Sequence, residues 1–215
     1  MIGILDLQGD VVEHLDHLGR LGVPCRRIKD PAELSELRGL IIPGGESTCL
    51  ARLMGIFGFD TAIRSAYRHG LKVWGTCAGA ILLATKVTGE KAHLGLIEME
   101  IERNSFGSQL DSFTGSACIP KVSAGPIPLI FIRAPKIKSV GPGVDVLLQE
   151  KDYIAAVETP GGLATVFHPE LTGNLAFHRY FALKCGLGTL PLPPAALDPT
   201  WTSTSWTRHM RIHNS

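Results

Sequence analysis

Short apolar runs alternate with amphipathic stretches through the first half of the chain. Residues 2–7 read as a strand. Residues 11–21 read as a helix with Val11, Leu15 and Leu18 on one face and Val12 beside them. A short strand at 25–28 precedes a short helix at 31–37 that begins with proline, the residue best tolerated at a first helical position. Leu40-Ile41-Ile42 is a buried strand ending at Pro43-Gly44-Gly45. Helical patterns at 47–57 and 60–69 lead to a strand at 71–74 and a helix after Cys77. Such alternation predicts a parallel sheet covered on both faces.

The second half has a different texture. Strands are expected at 95–102, 113–119, 127–132, 146–149, 153–158 and 163–167, part of them antiparallel, with a closing helix at 171–185. There is no internal repeat. From Gly186 the chain turns proline-rich at 190–194 and Ser/Thr-rich with two tryptophans at 201–206, which predicts an extended or disordered tail. The expected division is a domain over 1–185 and a tail over 186–215.

Composition bounds the function. With 215 residues, 45% of them apolar, the chain suits one substantial domain. A net charge of +1 with both signs interspersed excludes the basic stripe that nucleic acid requires. No apolar stretch is long enough to span a bilayer, and the first residues lack the charged region and cleavage site of a signal peptide. Five scattered cysteines argue against a disulfide framework and for a reducing, cytoplasmic setting.

Candidate chemistry centres on Gly75-Thr76-Cys77-Ala78-Gly79, between a strand and a helix. Flanking glycines allow the sharp turn that presents a nucleophile above a sheet. Cys77 is the candidate nucleophile, His168 the base and proton donor, and Glu170, past Pro169, the group that orients the imidazole. Cys25, Cys49, Cys118 and Cys185 read as small core hydrophobes. His14 and His17 are expected on a solvated helix face with no third ligand nearby, so no metal site is expected there. His69, His93, His178, His209 and His213 show no constellation. Pro43-Gly44-Gly45-Glu46-Ser47 reads either as an oxyanion-hole turn, with the Ala78 N–H as second donor, or as a plain turn capped by Ser47. Arg103 and Arg133 each end an apolar strand, where arginine either clamps a carboxylate or remains an ordinary exposed residue.

With these residues in hand, the chain resembles the class I (triad) glutamine amidotransferases. Within them it is similar to the branch that forms the glutaminase subunit of pyridoxal 5′-phosphate synthase. The resemblance rests on Leu7-Gln8-Gly9, Pro43-Gly44-Gly45-Glu46-Ser47-Thr48, the Cys77 elbow and His93-Leu94-Gly95-Leu96. It continues through Glu102-Arg103-Asn104-Ser105-Phe106-Gly107, Phe131-Ile132-Arg133-Ala134-Pro135 and Phe167-His168-Pro169-Glu170-Leu171-Thr172. It implies a flavodoxin-like three-layer α/β/α sandwich with a mostly parallel sheet. It also implies a Cys77, His168, Glu170 triad and a glutamine site formed by Gly44, Gly45, Glu46, Arg103, Ile132 and Arg133. Gly45 and Ala78 would form the oxyanion hole, with Gln8 nearby. The implied activity is hydrolysis of L-glutamine, with ammonia delivered to a synthase (lyase) subunit and no cofactor in this half. Two rivals stay open: a glutaminase feeding a different synthase, and a non-catalytic regulatory subunit. The sequence departs from the family at Asp10, where a small apolar residue is commoner, and in the tail after Cys185. That tail reads as a lineage-specific extension, an altered reading frame or a cloned addition.

Overall fold

The computed structural model describes residues 1–103, 112–150 and 152–192. Among them, five strands run parallel in the order β2 (Cys25–Ile28), β1 (Ile2–Leu5), β3 (Gly39–Ile42), β4 (Lys72–Thr76) and β12 (Gly162–Thr165). β1, β3 and β12 are buried at every position, as strands covered on both faces must be. Beyond β12 the sheet turns antiparallel through β11 (Ile154–Glu158), β9 (Lys136–Val140) and β6 (Ile97–Glu102), with β10 (Asp145–Gln149) also on β11. β5 (Ala84–Val87) closes that edge in parallel with β6. β7 (Ser112–Ala117) and β8 (Ile127–Ile132) form a separate antiparallel pair.

Successive side chains of a strand point to opposite faces, and β4 shows which helices lie where. Trp74 meets Phe177, His178 and Phe181 of α5 (Ala176–Lys184) and His14 of α1 (Val11–Arg20). Its neighbour Gly75 faces the other way, against α4 (Ala78–Leu83). α4 packs on α2 (Ser47–Ile56), and α2 on α3 (Phe59–Arg68). Helices therefore cover both faces, which makes the three-layer sandwich. No helix among the described residues is long and apolar enough to cross a membrane.

Several elements depart from expectation for local reasons. The helix after Cys77 lasts six residues and ends where Ala84 turns extended into β5. β5 and β9 went unread because each is short: β5 buries only its two ends and β9 only Ile137. The closing helix divides: Pro169–Leu171 is a 3-10 turn, and the Asn174 side chain accepts the Ala176 N–H at the start of α5. The segment at 31–37 is a 3-10 helix, Pro31–Glu36, closed by an Asp30–Glu33 capping box. Val12 is exposed, and so are Cys49 and Cys118, which are surface thiols and not core hydrophobes. After α5 the chain runs without helix or strand to residue 192, and the Leu190 N–H donates to the Leu21 carbonyl at 2.8 Å. The Ser/Thr-rich segment with Trp201 and Trp206 lies outside the described residues, as do His209 and His213.

Candidate active site

Four neighbouring parallel strands, β1, β3, β4 and β12, each deliver residues to one cleft from their carboxyl ends. In an open α/β sheet that is where ligands bind, beside the point where strand order reverses. Here the order reverses between β1 and β3. The cleft holds about 470 Å³; its lining includes Gln8, Asp10, Gly45, Glu46, Cys77, Ala78, Arg103, Ile132, Arg133 and His168. All three candidate triad residues are buried.

Cys77 takes φ 46° and ψ −102°, a conformation that costs a non-glycine residue of order 1–3 kcal/mol and persists only where its surroundings enforce it. Those surroundings are tight. The Cys77 N–H donates to the Thr165 carbonyl at 2.8 Å, and a Cβ on Gly79 would lie 2.0 Å from the Ile42 carbonyl oxygen. Glycine at 79 is therefore a steric requirement of seating α4 on β3. The thiol lies 3.9 Å from the Ile132 carbonyl and lines the same cleft as His168.

His168 arrives from the end of β12, and its Nδ1 is 2.8 Å from Glu170 Oε1. Asp10 Oδ2 stands 3.5 Å from the same nitrogen. Burial alone lowers an imidazole pKa, but Cys77, Glu170 and Asp10 outweigh it and hold His168 well above the ordinary value. Burial pushes the Glu170 carboxyl up, an effect the His168 ring partly offsets and Asp10 reinforces. Asp10, His168 and Glu170 bring ligand-type atoms within 4.8 Å of one another. Because Nδ1 already holds the short bond to Glu170, the group is a hydrogen-bonded set centred on a proton.

Gly45 sits at φ +146°, open to glycine alone, and a Cβ there would lie 2.6 Å from the Gln8 side-chain oxygen. That oxygen accepts the Glu46 N–H at 3.0 Å, so Gln8 braces the turn after β3. The cap of α2 is Glu46, whose carboxylate accepts the Thr48 and Cys49 N–H groups at 3.0 and 2.6 Å; the reading of Ser47 as cap is corrected. These two bonds hold the Glu46 carboxyl below its ordinary value. Arg103 is engaged with Glu90 at 2.6 and 2.8 Å, Thr48 at 3.2 Å and Glu46 at 3.3 Å. Arg133 adopts φ 43° at the cleft wall. The cleft thus brings the sequence-read residues together; Gly44 lies behind it, where an added Cβ would meet His168 Cε1 at 2.5 Å.

The expectation for His14, His17 and His178 is overturned. All three are buried, with His14 Nδ1 2.8 Å from His178 Nε2 and His17 Nδ1 3.0 Å from His178 Nδ1. Burial drives His14 and His178 well below the ordinary value and His17 to about 4. A signal was present: His14 fills the i+3 position between Val11 and Leu18 on the face that packs inward. Asp10, the departure from the family noted in the sequence, faces His168.

Residues 4–186 match the SNO glutamine amidotransferase family. A protein of Syntrophus aciditrophicus named "Pyridoxal 5'-phosphate synthase subunit PdxT" is 57% identical over 208 residues, 96% of this chain and 93% of its own. One of the same name from Ruminiclostridium cellulolyticum is 46% identical over 183 residues, 84% of this chain and 97% of its own. The Syntrophus match continues past Cys185, so the tail taken as foreign to the family has a counterpart in at least one relative. A crystal structure titled "Crystal structure of glutamine amidotransferase" superposes with TM-score 0.82 at 39% identity, covering 86% of this chain and 99% of that one. By the extent of these matches, the chain belongs to the SNO glutamine amidotransferase family.

Proposed function

We propose that this chain hydrolyses L-glutamine and hands the ammonia to the synthase subunit of a pyridoxal 5′-phosphate synthase. The Cys77 thiolate attacks the side-chain amide carbon, and the oxyanion forms against the Gly45 and Ala78 N–H groups. His168 gives its Nε2 proton to the departing nitrogen, and ammonia leaves a thioester on Cys77. Water then attacks the thioester as His168 takes back a proton, releasing glutamate and restoring the thiol–imidazole pair. Glu170 holds the ring through Nδ1, which leaves Nε2 for this work. Gly45, Glu46, Arg103, Ile132 and Arg133 form the wall of the glutamine site, with Gly44 behind them against His168 and Arg103 exchanging Glu90 for the substrate carboxylate. A reducing cytoplasm suits a chain whose five cysteines are all free.

The observation that carries this reading is the single ring of His168, bonded through Nδ1 to Glu170 at 2.8 Å and lining the same cleft as Cys77, which helps hold its pKa up. Delivery to the synthase is supported by the names of the relatives, each a subunit of that enzyme. The test supplies amide-15N glutamine to the chain with its synthase subunit, a pentose phosphate and a triose phosphate. The label should enter pyridoxal 5′-phosphate. Cys77→Ala should abolish glutamine-driven synthesis and leave synthesis from ammonium intact. Undiminished glutamine-driven synthesis by that variant contradicts the reading.

A further inference from the structure

The Glu170 carboxylate is completely enclosed, and only Oε1 is matched by a donor. Oε2 is buried with no hydrogen-bond partner among the described residues. An anionic oxygen in that state is costly unless a donor faces it. His14 Nε2 stands 3.8 Å away. Behind it, His14 Nδ1 meets His178 Nε2, and His178 Nδ1 meets His17 Nδ1, so one chain of ring nitrogens leads from Glu170 to α5 and back to α1.

A neutral imidazole carries one donor and one acceptor, so the three tautomers are coupled. With the His14 proton on Nε2, its Nδ1 accepts from His178 Nε2–H, and His178 Nδ1 accepts from His17 Nδ1–H. The reverse polarity, fed by His17 donating to the Thr172 backbone, would aim a His14 lone pair at Oε2. An anionic Glu170 favours the first arrangement. The rings do not form a metal site, because the nitrogens that face one another at 2.8 and 3.0 Å cannot also converge on one ion.

We propose that His14 is a positioning residue of the triad, its Nε2–H directed at Glu170 Oε2 and its tautomer set by His178 and His17. It holds the carboxylate so that Oε1 stays on His168 Nδ1 as the imidazolium forms and is lost. The groups around His14 are Glu170 beyond β12, His17 on α1, His178 on α5, and Trp74 and the Thr76 hydroxyl on β4, the last at 3.4 Å. His168 lies across the carboxylate, with Asp10 Oδ2 3.5 Å from the same Nδ1 that meets Glu170. Burial keeps all three relay rings neutral, so they transmit polarity and not charge.

The proposal rests on the glutaminase reading, and the test separates the two. Glutamine hydrolysis is measured in the complex with the synthase subunit, for wild type, Cys77→Ala, His14→Leu and His14→Gln, beside thermal melting. His14→Leu should lower kcat about ten- to hundredfold, the range seen when outer partners of functional histidines are removed, with KM within about twofold. Loss of the donor should also move the acid limb of the pH profile upward, because Glu170 then protonates more easily. His14→Gln, whose amide N–H reaches the place of Nε2, should restore most of both. A folded His14→Leu with wild-type kcat and pH profile overturns the proposal while leaving the triad standing; activity in Cys77→Ala sinks the glutaminase reading itself. Should His14→Leu not fold, histidine 15N shifts of the wild-type complex decide: protonated Nε2 on His14 supports the proposal, and protonated Nδ1 overturns it.

Discussion

His168 and His14 lie on opposite sides of one carboxylate, both enclosed by protein, and their titration is driven in opposite directions. His168 faces Glu170, Asp10 and a thiol, and is held well above the ordinary imidazole value. His14 is surrounded by two further imidazoles and an indole and falls well below it. Burial acts on both alike; the partners decide the sign. One sequence thereby obtains a ring suited to hold a proton for a leaving group, and beside it a set of rings that stay uncharged.

The strongest way to break this contrast is Glu170→Gln, which removes the anion shared by both sides. Glutamine hydrolysis should fall about a thousandfold or more, as when the acid of a comparable triad is made an amide. The basic limb of the pH profile should also drop toward the ordinary histidine range, since less holds the His168 proton. A variant within tenfold of wild type would show that Glu170 does not orient the ring.

Stability should expose the same opposition through its sign. An unfolded His17 binds its proton near 6.5 and the folded one near 4, so the unfolded chain takes up more protons between these values. Stability from His17 is fully present above 6.5 and declines as pH falls toward 4, by about 3 kcal/mol at most. His168 has the opposite sign: its contribution is present below the ordinary value and is lost as pH rises through its raised pKa. Urea unfolding of wild type and His17→Gln at pH 7, 5.5 and 4.5 should show a steeper acid loss in wild type. Parallel slopes would contradict the neutral assignment of His17.

Asp10→Ala should sharpen the comparison most gently. Asp10 is partly exposed, so water weakens its hold on His168 at 3.5 Å. Its removal should lower the basic limb of the pH profile by less than Glu170→Gln does, with kcat changed less than about tenfold. A basic limb that does not move would mean that Glu170 and Cys77 alone set His168.

What the sequence made legible follows from how local each demand is. The Cys77 turn was readable because its residues are contiguous, two glycines flanking a cysteine between an apolar strand and an apolar helix, even though Gly79 answers a distant contact with Ile42. His168 and Glu170 were readable because they sit two apart across a proline. The inner parallel strands β1 and β3 are covered on both faces and therefore appear as unbroken apolar runs. The helical spacing of Val11, His14 and Leu18 signalled that His14 faces inward, but the cluster itself was not readable, since His178 joins it only where α5 docks on α1. β5 and β9 escaped for a related reason: partner strands hold them, and too few of their own side chains face inward to leave a period. Serine before a helix is the commoner cap, so the plain-turn alternative named Ser47; Glu46 caps instead because its longer side chain reaches forward to both open N–H groups.

The central claim is that the Cys77 sulfur is the nucleophile and depends on its imidazole partner. It is tested most directly by exposing the complex to an electrophilic glutamine analogue and locating the adduct by mass spectrometry. The account predicts one adduct, on Cys77, forming far more slowly in His168→Ala and competed by glutamine, with the exposed Cys49 and Cys118 unmodified at the same dose. Labelling at the surface thiols with Cys77 untouched, or at Cys77 with a rate indifferent to His168, would contradict it.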